Sequence, residues 1–290
     1  MLLDARHISK SFAPSPGTSR ALMALDNVSI QIDAGETLGL VGPSGSGKST
    51  LARVIARLIQ PDRGDIQFDG TDWLAASGAK LRARRAAMQM VFQDPAAAFH
   101  PHASVTSALT DPLRIHRLMP RKDWPDEVAR LLQQVELPAD LANRAIRDLS
   151  GGQRQRIAIA RALACRPKLV ILDEAVSALD VSVRGRIIAL LVALQRKHGL
   201  AYLFVSHDLA LVRQLAHRTA VMSEGRILET GPTQRLISAP KTLLTRQLID
   251  AIPQLPSPQS TPQATLQASA DNIAPTSAAS APFPFPSESR

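Results

Sequence analysis

Short β-branched or apolar runs alternate with stretches of helical periodicity from residue 1 to about 252, the pattern of an α/β domain on a largely parallel sheet. The runs predict strands at Val28–Ile32, Thr37–Val41, Asp65–Phe68, Met88–Phe92, Leu169–Leu172, Tyr202–Val205 and Thr219–Met222. Between Phe92 and Leu169 no strand pattern occurs, whereas Trp124–Glu136 and Gly152–Ala164 read as helices. A helical subdomain over about 94–165, inserted into the sheet domain, is therefore expected. After Asp180, a helix would place Val183, Ile187, Leu190, Leu191 and Leu194 on one side, as core packing rather than a partner groove. No repeat of fixed period is present.

The patterning stops at Pro253. The last 38 residues hold 8 Pro, 7 Ser and 7 Ala, with only Asp271, Glu288 and Arg290 charged, and cannot bury enough apolar surface to offset their ordering entropy. Residues 253–290 are expected to be a disordered tail; its PFPFP stretch, 282–286, reads as an unselective tail end rather than a polyproline docking peptide.

The remaining composition narrows the class. Hydrophobic residues make up 45% of the 290, as in a soluble globular protein. One cysteine, Cys165, cannot form an intramolecular disulfide, and no spacing suits a structural zinc or iron–sulfur site, so a cytosolic setting is expected. Asp4, Arg6 and Lys10 interrupt any secretory signal in the first ten residues, and the uncharged run Ala251 to Ala270 is too rich in Pro, Gln, Ser and Thr to span a bilayer. A net charge of +9 raises nucleic acid or an anionic membrane surface as partners without choosing between them.

The strand Thr37–Val41 runs directly into Gly42-Pro43-Ser44-Gly45-Ser46-Gly47-Lys48-Ser49-Thr50, followed by the helical pattern Leu51, Val54, Ile55, Leu58. This is the G-x-x-x-x-G-K-[ST] phosphate loop in the strand–loop–helix context its mechanism requires. The glycines let successive N–H groups converge on phosphate oxygens while the helix directs its positive end at them. Lys48 would neutralise the β- and γ-phosphates and Ser49 would ligate Mg²⁺. The loop alone indicates a nucleoside triphosphate and leaves kinases, GTPases and motor ATPases open.

Three other strand ends carry candidate chemistry. The buried run Leu169–Leu172 ends in Asp173 and Glu174. A parallel strand adjacent to the one feeding the phosphate loop would bring Asp173 beside Ser49, to hold Mg²⁺, and Glu174 would accept a proton from attacking water. His207 follows the strand Tyr202–Val205, where it can bridge the γ-phosphate and orient Glu174; capping the helix that starts near Asp208 is the other reading. Gln93 follows Met88–Phe92, and its amide can contact Mg²⁺ or the attacking water. The other histidines, His7, His100, His102, His116, His198 and His217, read as surface or packing residues.

Leu149-Ser150-Gly151-Gly152-Gln153, followed by Arg154-Gln155-Arg156, resembles the signature of ATP-binding cassette (ABC) ATPases, a second phosphate-binding turn opening a helix. Aromatic A-loop, Walker A, Q-loop, signature, Walker B, D-loop (Ser177-Ala178-Leu179-Asp180) and H-loop follow in family order over nearly all of residues 1–250. The resemblance implies an α/β fold, a P-loop NTPase (RecA-like) ABC nucleotide-binding domain with an inserted helical subdomain and a small antiparallel β region, spanning 1–252. It implies stacking of Phe12 on adenine, ATP and Mg²⁺ as ligands, and a head-to-tail dimer in which Ser150, Gly151, Gly152 and Gln153 of one cassette meet the nucleotide held by the other.

The stretches Met88–Pro95, Val176–Val183 and Tyr202–Asp208 look like those of the peptide/nickel importer ATPases. Ala175 stands where many dipeptide-type members have Pro, and the C-terminal cysteine cluster of certain oligopeptide-type members is absent. The implied function is the ATP-binding and ATP-hydrolysing subunit of a bacterial ABC importer for peptides, nickel or a related small solute. It would sit peripherally on the cytoplasmic face of the inner membrane. Its implied partners are integral-membrane permease subunits, a second ABC ATPase subunit, identical or similar, and indirectly a periplasmic or lipoprotein solute-binding protein, with no nucleic acid.

The alternative is a soluble ABC ATPase acting on nucleic acid or ribosomes. About 55 residues separate Gln93 from Leu149, too few for the coiled-coil arms of chromosome ATPases, and only one cassette is present. A catalytically dead cassette is disfavoured by the presence of Lys48, Asp173, Glu174 and His207 together. Residues 80–166 hold 15 basic and 8 acidic side chains, so the positive excess is localised, as expected of a subdomain working beside permease loops and an anionic leaflet.

Overall fold

The structure, a computed structural model, describes residues 1–13, 22–94 and 98–252; the expected tail at 253–290 lies outside these. Among the described residues ten strands form two sheets. The first is antiparallel, in the order β2 (Leu22–Ile32), β1 (Leu3–Phe12), β4 (Arg63–Phe68), β5 (Thr71–Asp72). The second sheet is ordered β10 (Arg226–Pro232), β9 (Arg218–Ser223), β3 (Thr37–Val41), β8 (Ala201–Ser206), β7 (Leu169–Asp173), β6 (Met88–Val91). It is parallel from β9 to β6, with β10 closing one edge antiparallel. This order corrects one expectation: β7 is not adjacent to β3, because β8 lies between them.

The unbroken apolar runs of β7 and β8 have a simple cause. Side chains alternate across a strand, and here both faces are covered. Val170 and Leu172 of β7, with Tyr202 and Phe204 of β8, enter one core; Leu169, Ile171, Leu203 and Val205 enter the other. A parallel strand buried on both faces cannot show polar alternation. The second core is shared with the antiparallel sheet and with α1 (Lys48–Ile55). Trp73, fully buried, closes its rim by donating Nε1–H to the Ile55 carbonyl at 2.8 Å, which caps the open end of α1.

The first core is helical. Among the described residues no strand lies between β6 and β7; after α2 (Gly78–Arg84), the interval holds α3 (Val105–His116), α4 (Trp124–Gln134) and α5 (Gly151–Leu163). Leu109, Leu131, Leu132 and Ile157 from these helices are all buried, each contributing about 1.5–3 kcal/mol through burial. Next comes α6 (Val181–His198), whose Ile187, Leu190, Leu191 and Leu194 pack into the same core, with Val183 at its margin. The chain ends its described part with α7 (Leu209–Leu215), α8 (Thr233–Ser238) and α9 (Leu243–Asp250). Among the described residues no helix is long and apolar enough to cross a membrane.

Candidate functional site

Because β3, β6, β7 and β8 run parallel, their carboxyl ends open on one edge of the sheet, where such sheets bind ligands. From β3 the chain turns through residues 42–47 and enters α1 at Lys48. Gly47 caps the helix with φ 103°, and a Cβ there would lie 2.4 Å from the Ala24 carbonyl oxygen, so only glycine fits. With no side chain at this cap and no acidic residue in the first turn, the N–H groups of α1 have no side-chain acceptor.

Lys48 is buried within the loop. Its Nζ donates to the carbonyls of Gly42 at 2.9 Å and Pro43 at 2.8 Å. Burial lowers its pKa, against the pull of Glu174 and Asp173. Ser49 Oγ donates to Asp173 Oδ1 at 2.8 Å, although β8 separates β7, which ends in Asp173, from β3, which leads into α1. Asp173 is 3% exposed, and that burial raises its pKa, opposed by the Ser49 hydrogen bond and by the charge of Arg53 on α1. The Ser49–Asp173 pair is a small, all-oxygen donor set. It suits Mg²⁺, which keeps several waters and takes phosphate oxygens rather than a full protein cage; among the described residues no cluster of three His, Cys, Asp or Glu forms such a cage.

Glu174 takes a left-handed backbone, φ 48°, a conformation that costs a non-glycine residue about 1–3 kcal/mol. It is held there by its N–H, which donates to the Val205 carbonyl at 3.0 Å and so pins the end of β7 to β8. The turn aims the Glu174 carboxylate at His207, with Oε2 3.6 Å from Nδ1, beyond a direct hydrogen bond. His207 is half exposed. The helix-cap reading of this histidine does not hold: Asp208 caps α7 with its own carboxylate, accepting from the N–H groups of Ala210 and Leu211.

An open cleft of about 660 Å³ joins Phe12, Ser44, Gly45, Lys48, Gln93 and Glu174. Phe12 sits at the end of β1, exposed rather than in a core. Two stretches of the cleft wall carry no sequence motif. Leu22, Met23 and Ala24 come from β2, and Glu224 and Gly225 come from the turn between β9 and β10. Backbone bonds fix that turn, with Gly225 N–H donating to Ser46 and Asp26 N–H donating to Gly225. A Glu-Gly pair between two apolar runs was the available hairpin signal.

Ser150, Gly151, Gly152 and Gln153 do not line this cleft. They open α5, where Ser150 Oγ accepts the Gln153 N–H at 3.3 Å and Gln153 Oε1 accepts the Ser150 N–H at 2.9 Å. Gly152 allows α5 to lie against α6, since a Cβ there would stand 2.7 Å from Val183 Cγ1. One chain thus carries two helix ends suited to phosphate, and the second serves no part of the first one's cleft.

The family model described as ABC transporter matches residues 25–177. The glutathione import ATP-binding protein GsiA of Escherichia coli K12 is 48% identical over 248 residues, 86% of this chain and 40% of GsiA. The Shigella dysenteriae protein of the same name is 48% identical over 269 residues, 91% of this chain and 43% of that protein. The chain therefore spans less than half the length of these relatives. Among solved structures, the dimeric post-hydrolysis state of the ATP-binding cassette MJ0796 bound to ADP and Pi matches with a TM-score of 0.71 at 27% identity, covering 80% of this chain and 99% of that one. CbiO1 of Clostridium perfringens, part of the ABC transporter complex cbiONQ, matches with a TM-score of 0.72 at 26% identity, covering 82% of this chain and 91% of that one.

Proposed function

This chain belongs to the ABC transporter family of ATP-binding cassettes, and on that premise we propose that it hydrolyses ATP to drive a bacterial importer for peptides, nickel or a related small solute. The observation that carries the chemistry is the convergence of three strand ends, those of β3, β7 and β8: the Lys48 loop, the Ser49–Asp173 contact, and Glu174 facing His207. Phe12 stacks on adenine at one end of the cleft. Gly42 to Thr50 wrap the phosphates, with Lys48 leaving its loop carbonyls for phosphate oxygens.

Ser49, Asp173 and Gln93 are the residues that would hold Mg²⁺. The ion, when bound, offsets phosphate charge and so favours attack at phosphorus. Glu174 takes the proton of the attacking water, for which a carboxylate base is suited. His207, within reach of that carboxylate, orients it and contacts the γ-phosphate. The signature turn of a second cassette, identical or similar, completes the site. Its α5 end is solvent-facing here and capped by its own side chains, so the Ser150 hydroxyl proton is free to point outward.

The cassette would work at the cytoplasmic face of the membrane, beside permease subunits supplied by other chains. The glutathione import named for the relatives makes a small peptide the first solute to assay. A role on nucleic acid or ribosomes is less well supported, because those relatives are import ATPases. Reconstitution into vesicles with its permease pair and binding protein tests the reading. Phosphate release should rise when the binding protein is loaded with solute; release indifferent to permease and solute, with salt-sensitive RNA or DNA binding, would overturn it.

A further inference from the structure

One wall of the cleft is a hairpin turn to which the sequence motifs give no task. Glu224 and Gly225 join β9 to β10, with Ser223 and Arg226 paired across the turn. Both take a left-handed backbone, φ 48° and 77°, as in a type I′ turn. Such a turn favours Asn or Asp before Gly, because a short polar side chain can hydrogen-bond locally in this conformation. Glu224 is longer and exposed, and among the described residues its carboxylate has neither a hydrogen bond nor an ion pair. A residue held in a disfavoured backbone at a cleft marks a constraint that the turn itself does not need.

The turn is fixed on two sides. Gly225 N–H donates to the Ser46 carbonyl of the phosphate loop at 3.0 Å, and Asp26 N–H on β2 donates to the Gly225 carbonyl at 2.8 Å. Arg226 Nε donates to the Asp26 carboxylate at 2.7 Å. A Cβ on Gly225 would stand 3.0 Å from the Ala24 carbonyl oxygen, so the turn lies against β2. From Ala24 the strand runs through Met23 to Leu22, the register partner of Phe12. Glu224 therefore lines the cleft on the wall that leads from the phosphate loop to the Phe12 end.

Charge limits what this carboxylate can meet. It only accepts hydrogen bonds, and it repels a triphosphate. The donors of ATP lie on the nucleoside, as the two ribose hydroxyls and the exocyclic amine of the base. We propose that Glu224 is a specificity-determining residue of the nucleotide site, its carboxylate accepting a hydrogen bond from the nucleoside at a ribose hydroxyl or at the adenine amine. The inference rests on the ATP-binding reading above.

The test measures the affinity of the full chain, wild type and Glu224→Asn, for four nucleotides in the presence of Mg²⁺. These are ATP, 2′-deoxy-ATP, 3′-deoxy-ATP and purine riboside triphosphate, the last three lacking one hydroxyl, the other hydroxyl and the amine in turn. Asparagine suits the turn and is too short to replace the carboxylate, so the variant keeps its fold. It should bind ATP about 3- to 30-fold more weakly, the worth of a hydrogen bond to a charged group at a partly open site. That loss should shrink or vanish for at least one of the three analogues, which identifies the donor. A merely structural turn residue would show no such dependence on the nucleotide. Unchanged ATP affinity, tighter binding as charge repulsion alone requires, or an equal loss for all four nucleotides would overturn the proposal. If Glu224→Asn does not fold, Glu224→Gly, which the left-handed backbone also accepts, carries the same comparison with the same outcomes. A wild-type chain that binds none of the four would instead overturn the ATP reading.

Discussion

The N-termini of α1 and α5 are finished in opposite ways. At α1 the cap is a glycine without a side chain, the first turn has no acidic residue, and a buried lysine adds positive charge where the helix end is already positive. That end has no side-chain acceptor of its own for its N–H groups. At α5, Ser150 and Gln153 satisfy each other's backbone N–H groups in a capping box. This second end is partly satisfied by its own side chains, and its hydroxyl proton and remaining first-turn N–H groups are left for a ligand. On the proposed function the difference implies an order of events: the α1 loop would capture nucleotide first, and the α5 turn would join once another cassette presents it.

The largest effect that sharpens this contrast separates holding from hydrolysis. Glu174→Gln should lower ATP turnover by about 10²- to 10⁴-fold, the usual contribution of a general base, while a nucleotide titration shows affinity intact. Loss of affinity in step with turnover would mean that the carboxylate helps to hold the nucleotide. Next is the α1 end itself. Lys48→Ala should weaken nucleotide binding by about 10- to 100-fold, the worth of a charge-assisted hydrogen bond, whereas Ser150→Ala in a single chain should leave binding unchanged.

The smaller effects are on stability, and here the two ends should respond with opposite sign. Ser150→Ala removes a cap and should lower the unfolding midpoint by about 2–4 °C, the shift that 1 kcal/mol makes in a domain of this size. Asp173→Asn removes a carboxylate whose pKa is raised by burial and should raise the midpoint of the nucleotide-free protein at neutral pH. The sign follows from linkage: a buried acid with a raised pKa favours the folded state when protonated. The gain from Asp173→Asn should therefore shrink as pH falls through that titration, because the wild-type carboxyl becomes neutral too. Thermal scans across acidic and neutral pH read both.

The parts of this architecture that are local in sequence were legible. The loop from Gly42 to Thr50 lies between a strand and a helix whose patterns adjoin it, and β3 has the bounds that its apolar run predicts, Thr37–Val41. The helices at 124–134 and 151–163 fall within a residue or two of their periodic stretches. What depended on distant pairing was not legible. Sheet order is set by crossovers, so the insertion of β8 between β3 and β7 left no trace in either strand's residues.

The strand Leu3–Phe12 was missed for a different reason. Register shifts interrupt its pairing with both neighbours, and His7 takes a left-handed φ of 54°, so its side chains do not keep strict alternation. Its last residue, Phe12, nevertheless lines the cleft. Nor does any spacing connect Arg161 with Ala98, which meet only because α5 packs beside the segment that follows β6.

The central claim is that two such helix ends, from two cassettes, act on one nucleotide. Its most direct measurement is ATP turnover per chain against protein concentration, read alongside the sedimenting mass, for the chain alone and mixed with its partner cassette. Turnover confined to fractions in which two cassettes sediment together is the predicted result; full turnover by a species of single-chain mass would contradict it.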